Sequence, residues 1–417
     1  MKRNQTRTDC IVVGAGIVGC SIALGLARKG HRPLVVEREN ECGMGSTRAA
    51  SGIVHEGDPD PAAALVASEG RRLWQSWPEL LQVEDPLGMA RFREVGVLWL
   101  APGGVADLEP SIRHRTALGA AVELLDREKL SVRYPDLRVP DEAPGVTGIL
   151  EPESGYVDDP ALAAHNLRLA AEAAGARFLF ATKATDITWR FTENAGTARE
   201  ITGVVTSSGA ALSAPVVVNA AGPCSWQVGL LAQAPLALST APVRVPFLEG
   251  TAPAVGRAAT PLPVLMDLAT GIACKPDPFR FRLEGLGARD RLDYHVDPDR
   301  PDPVVPAALR KRMLAALSAR LPSMKLHSPR PLVGVRDVTV ADGKPLLDRT
   351  DVEGYFVAIG LGDLGFRAAP ALGWLTAELV DAVNLGHDHD TRPLVVRLPV
   401  SGDLFDLGAF SRLRRPR

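Results

Sequence analysis

Long apolar runs are missing from this chain: none reaches the roughly 18 residues that a membrane-spanning helix requires. An excess of one charge is missing too. Lys plus Arg number 47 against 49 for Asp plus Glu, a net charge of -2, so no bulk electrostatic attraction draws the protein to nucleic acid or a membrane surface. Cysteine is scarce: Cys10, Cys20, Cys42, Cys224 and Cys274 are an odd number in 417 residues, without C-x-x-C spacing or zinc-type histidine pairing. This excludes a disulfide framework and points to reduced thiols in a cytoplasmic protein. Gly14, Gly16 and Gly19 break the apolar run that begins at Cys10, which argues against a signal peptide. No internal repeat or low-complexity tract is evident. The basic end, Arg412, Arg414, Arg415 and Arg417, reads as solvated and frayed. His387 and His389, in a His-Asp-His-Asp tract, read as an exposed polar loop rather than a metal site.

What is present is an ordinary globular composition, 46% hydrophobic and 23% charged, on a chain long enough for two domains. Cys10 to Val13 reads as a buried strand, Ile17 to Lys29 as a helix ending at Gly30, and Pro33 to Glu37 as the next strand. Further on come helices at 61–77 and 160–174, the second introduced by Asp158 and Asp159, and strands at 95–100, 202–206 and 212–219. From Ala234 to Pro306 the texture changes to proline-rich with short strand-like pieces, including 243–247 and 279–283, the mark of a separate sheet-based unit. A helix at 306–320, strands at 331–340 and 355–359, and a helix at 366–383 then restore the opening pattern.

The segment Gly14-Ala15-Gly16-Ile17-Val18-Gly19 is a G-x-G-x-x-G between a strand and a helix. Gly14 permits the tight turn, Gly16 the approach of a pyrophosphate and Gly19 close helix packing, while the helix N-terminus offers N–H donors to phosphate. Glu37, followed by Arg38, stands at the end of the second strand, where an acidic residue binds a ribose hydroxyl. Strand, glycines, helix, strand and acid in register make this a dinucleotide site, for NAD or FAD alike. Two further segments carry the discrimination. One is the loop of Gly45, Ser46, Thr47, Arg48, Ser51 and Gly52, whose small and hydroxylated residues suit a flat ligand. The other runs from Gly334-Val335-Arg336-Asp337 through a strand ending at Gly360 to Gly362-Asp363-Leu364-Gly365-Phe366-Arg367.

With these segments, with Gly155-Tyr156-Val157-Asp158 and with Asn219-Ala220-Ala221-Gly222, the sequence resembles the D-amino-acid oxidase superfamily, within it the glycine oxidase, sarcosine oxidase and sarcosine dehydrogenase group. The resemblance covers nearly the whole chain and is weak only in the middle. It implies an α/β protein with a discontinuous Rossmann-like FAD-binding domain over 1–85, 145–233 and 330–417, and a second, mainly antiparallel β-sheet substrate domain over 86–144 and 234–329. It adds Ala184, Ala221, Gly222, Gly360, Gly362, Asp363, Leu364, Gly365 and Phe366 to the FAD-binding residues. It implies non-covalent FAD, because the matching positions near Arg48, Ala49 and Gly334 hold neither His nor Cys. The group oxidises a carbon next to nitrogen by hydride transfer to flavin, giving an imine that hydrolyses.

The substrate implied is therefore a small amine bearing a carboxylate, with Arg336 and Arg367 matching the residues that grip it. Arg282 stands where some oxidases of the group activate oxygen with a lysine, which favours a dehydrogenase with another acceptor. Asp363 and Leu364 replace the usual histidine of the second glycine segment. His55 sits just after the loop at 45–52, where hydroxy-acid dehydrogenases of the superfamily also carry a histidine. A 2-hydroxy-acid dehydrogenase and an FAD-holding subunit of a larger complex are the alternatives. Homo- or hetero-oligomerisation stays open.

Overall fold

The structure is a computed structural model and describes residues 6–101, 109–139, 147–192, 198–234, 240–251, 262–277, 281–286, 297–298, 300, 304–324 and 326–415. Phe279, Arg280 and Arg417 lie outside the described residues.

Four-residue runs such as Cys10–Val13, Pro33–Val36 and Val216–Asn219 are buried at every position, as expected of parallel strands covered on both faces. They form the centre of a six-stranded sheet in the order 177–179, 33–36, 10–13, 216–219, 355–359 and 346–349, parallel except for the last strand. Alternate side chains serve two cores. Val12, Val35, Val218 and Phe356 pack with the helices Ile17–Arg28, Pro160–Ala173 and Ala369–Asn384. Ile11, Leu34, Val217 and Val357 pack with Ile187, Ile201, Val204 and Leu212, from a five-stranded sheet on the opposite face. Asp159 caps its helix by accepting from the N–H groups of Ala161 and Leu162, both at 3.1 Å.

The second large sheet has eight strands, in the order 327–339, 240–251, 281–285, 272–275, 264–267, 97–101, 147–151 and 123–125. Its seven strand pairings are antiparallel except that of 264–267 with 97–101. One face carries Leu248, Cys274 and Leu283, which pack against Met313 and Leu317 of the helix Ala307–Arg320. The other face looks toward the dinucleotide turn.

Three elements depart from the sequence reading. The strand expected over 212–219 is two strands in two sheets, Ala211–Ser213 and Val216–Asn219, because Pro215 lies between them and offers no N–H to a ladder. The helix expected over 366–383 is a single turn, Leu364–Arg367, then Ala369–Asn384, with Pro370 in the first turn of the second piece. The helix expected over 61–77 stops at Gln75, and Trp77 opens a short helix of its own.

The C-terminal expectation is also corrected. Arg412 is buried, with ion pairs to Asp390 at 2.7 Å, Asp351 at 2.7 Å and Asp348 at 3.3 Å. Arg414 forks onto Asp342 at 2.9 and 3.0 Å. Carboxylates on separate turns thus tie the end down through Arg414. Of the two histidines nearby, His387 bonds the Arg392 carbonyl at an exposed site, but His389 is buried, its Nδ1 accepting from Leu394 N–H at 3.0 Å. No cluster able to hold a metal ion is found among the described residues.

Candidate active site

Between the two large sheets lies a cavity of about 1090 Å³. That is just above the roughly 300–1,000 Å³ typical of small-molecule pockets, the size for a dinucleotide with room beside it. One end is the expected turn. Gly14 has φ +105°, and a Cβ on Gly19 would stand 1.9 Å from the Gly14 carbonyl oxygen, so helix and turn meet in a contact that only glycine allows. Glu37 accepts from Ala15 N–H at 2.6 Å and from Glu39 N–H at 2.9 Å, which holds its carboxylate at the rim. Thr47 Oγ1 accepts from Ile17 N–H at 3.0 Å and so joins the loop at 45–52 to the helix N-terminus.

The expected FAD-binding residues come together here. Gly14, Gly16, Ile17, Val18, Glu37, Arg38, Gly45, Ser46, Thr47, Arg48, Ser51, Gly52, Ala184, Ala221, Gly222, Gly360, Gly362, Asp363, Gly365 and Phe366 all line the one cavity. Gly19 and Leu364 do not; Gly19 packs behind the turn and Leu364 joins the helical core. Cys224, in the turn after Val216–Asn219, also lines it, although no motif spacing in the sequence marks it.

The other wall is the open face of the eight-stranded sheet. Strand alternation puts Arg330, Leu332, Gly334 and Arg336 on it, with Val245, Phe247 and Glu249 alongside and Arg282 beyond. Arg282 donates to the Ala49 carbonyl at 3.1 Å and to the Ala50 carbonyl, and pairs with Glu249 at 2.8 Å. It therefore pins the loop at 45–52 to the sheet. Arg336 pairs with the buried Glu284 and lies 3.6 Å from Asp363, with 27% of its side chain still exposed. Burial alone would lower its pKa, but the charges of Glu284 and Asp363 raise it.

Asp363 faces the cavity, half exposed. Burial works against its charge. His55 Nε2 at 3.0 Å, with the charges of Arg336 and Arg367, outweighs that and holds the carboxyl well below the usual range. His55 itself is buried behind Asp363, edge-on to Trp99 at 5.1 Å, and is not on the cavity wall. Arg367 is not there either. Its guanidinium is buried, donating to the His55 carbonyl at 3.1 Å and pairing with Asp58 at 2.5 Å. Arg367, expected to grip substrate, is thus turned away from the cavity wall: one turn of helix carries it to the far side of Asp363, where the His55 carbonyl and Asp58 hold its two terminal nitrogens.

Gly19→Ala tests the turn. The added methyl forces helix and turn apart, an overpacking cost of roughly 1–3 kcal/mol, and FAD affinity should fall about tenfold to a hundredfold. FAD dissociation on dilution measures it; wild-type retention in the variant would refute the assignment, and colour left in the pellet after acid precipitation would reveal a covalent link.

A family profile described as FAD dependent oxidoreductase matches residues 9–379. A D-amino acid dehydrogenase of Methylobacterium radiotolerans is 26% identical over 89% of this chain and 95% of its own length. A glycine oxidase of Geobacillus kaustophilus is 27% identical over 92% and 95%. Among solved structures, an L-proline dehydrogenase from P. horikoshii superposes with a TM-score of 0.76 at 20% identity, covering 98% of this chain and 97% of that one.

Proposed function

Because this chain belongs to the FAD dependent oxidoreductase family, we propose that it is a dehydrogenase oxidising the carbon–nitrogen bond of an amino acid or secondary amine. Gly14, Gly16, Glu37, Thr47, Ala184 and the segment Gly360 to Phe366 would hold FAD, which is proposed to bind without a covalent link. Bound, FAD supplies the hydride acceptor. The observation that carries the reading is Arg336: a partly exposed guanidinium on the wall of the dinucleotide cavity, held between Glu284 and Asp363. A planar cation held on two sides suits a substrate carboxylate. Val245, Phe247 and Leu332 give the apolar wall that keeps water from the reacting carbon. The similar proteins with amino acids in their names favour the same class. The hydroxy-acid alternative leaned on His55, which stands behind Asp363 rather than on the wall.

The test is an anaerobic screen of amino acids, secondary amines and hydroxy acids followed at the flavin absorbance. Bleaching by an amino acid or amine is expected, with slow peroxide formation in air because Arg282, tied to Glu249 and two carbonyls, replaces a lysine. Bleaching by hydroxy acids alone would reverse the assignment. Arg336→Lys should lose about tenfold to a hundredfold in kcat/KM on a carboxylate substrate, since the bidentate fork is gone while a charge still faces Glu284. An amine without a carboxylate should separate the two proteins little, and unchanged kinetics on carboxylates would remove Arg336 from substrate binding.

A further inference from the structure

We propose that Cys20 and Cys42 form a redox-active pair, which hydrogen peroxide converts to a disulfide that fastens the loop at 41–47 to the first turns of the dinucleotide helix. The placement is geometric. The Ala15 carbonyl accepts from Gly43 N–H at 2.8 Å and from the Cys20 thiol at 3.5 Å, so the residue beside Cys42 and the Cys20 sulfur converge on one oxygen. Both cysteines belong to one buried core cluster, and each shifts the other's pKa. Helix and loop are already joined at Thr47, whose Oγ1 accepts from Ile17 N–H. Both partners line the cavity, the helix with Gly16, Ile17 and Val18, the loop with Met44, Gly45, Ser46 and Thr47. A bond between them would hold two walls of the FAD site at a fixed separation.

The thiols are unequal. The neighbouring Cys20 thiol lowers the Cys42 pKa, against burial and with help from the Arg168 charge on the helix Pro160–Ala173, whereas burial raises that of Cys20. Cys42 is itself buried, but its loop neighbours Glu41 and Met44 are exposed, while Cys20 lies wholly inside the helix packing. Cys42 is therefore the attacking sulfur. Its thiolate breaks the O–O bond of hydrogen peroxide, giving a sulfenic acid and hydroxide, which takes up the thiol proton as water. The Cys20 sulfur then displaces the sulfenic oxygen, which leaves with the Cys20 proton as a second water. Two thiols lose two electrons to one peroxide, with one disulfide and two waters formed. Burial, joined at Cys10 by the Asp9 charge, keeps Cys10, pushed up to about 12, and Cys274, pushed higher, protonated and inert.

The experiment treats the FAD-loaded protein with hydrogen peroxide, alkylates it after unfolding and maps its peptides, while FAD release is followed after dilution. A peptide joining Cys20 to Cys42, reversed by dithiothreitol, is expected, with FAD leaving severalfold more slowly. Cys42→Ser should show neither. Recovery of both cysteines alkylated, or Cys42 carried to sulfinic acid with Cys20 still free, would overturn the proposal. So would slowed release that persists in Cys42→Ser, or a linked protein that loses FAD at the reduced protein's rate.

Discussion

Asp337→Asn should stabilise the protein against unfolding at alkaline pH, gaining on the wild type as pH rises and approaching about 4 kcal/mol by about pH 8 relative to about pH 4. The Asp337 carboxyl is buried on the strand His327–Thr339; Oδ2 accepts from Gly360 N–H at 2.8 Å, and Oδ1 has no hydrogen-bond partner. Burial pushes its pKa from 3.8 up to about 7, although the hydrogen bonds from Gly360 and Thr240 pull the other way. The folded state therefore binds this proton more tightly than the unfolded chain does. Below the unfolded value both states are protonated and nothing is lost. Between the two values only the unfolded chain releases the proton, so stability falls as pH rises and levels off above about 7. Asparagine can keep the bond to Gly360 and has no charge to bury. Denaturant midpoints of the two proteins across this range are the measurement, and parallel curves would show that Asp337 is ionised in the fold without cost.

Arg367→Ala should lower folding stability by about 3 kcal/mol, the lower end of the roughly 3–5 kcal/mol for breaking a buried ion pair, because Asp58 keeps some access to water. The loss has three parts: Asp58 loses its cation, the His55 carbonyl its donor, and Asp363 a neighbouring charge at 3.3 Å. Kinetics on a carboxylate substrate should move much less per FAD-loaded molecule than in Arg336→Lys. The opposite pattern, a large fall in kcat/KM with an unchanged denaturant midpoint, would return Arg367 to the substrate.

The two arginines show how far sequence reasoning reaches. The dinucleotide turn is legible because its constraints are local: Gly14, Gly19 and Glu37 stand at spacings set by one strand, one turn and one helix, and their contacts stay within that single unit. Buried parallel strands are legible for the same reason, since a strand covered on both faces must be apolar throughout. Arg336 and Arg367 both flank the second glycine segment, and no local rule separates them. What separates them is position in three dimensions: strand alternation turns Arg336 to the cavity, while the single helical turn after Asp363 carries Arg367 behind it to Asp58, 309 residues away in sequence.

The remaining differences have the same origin. Arg412 looked like part of a frayed tail because its partners, Asp348, Asp351 and Asp390, are acids from other turns that only the fold gathers. Cys20 and Cys42 share no motif spacing, yet a helix and a loop bring the Cys20 thiol and the residue beside Cys42 to one carbonyl. By itself the sequence determined the nucleotide-binding unit and the periodicities that build the two sheets, because those follow from backbone geometry and burial over a few consecutive residues. The tertiary structure alone decided which charged side chains face the cavity and which neutralise one another beneath it, because a charge is placed by whatever partner packing brings within hydrogen-bond reach.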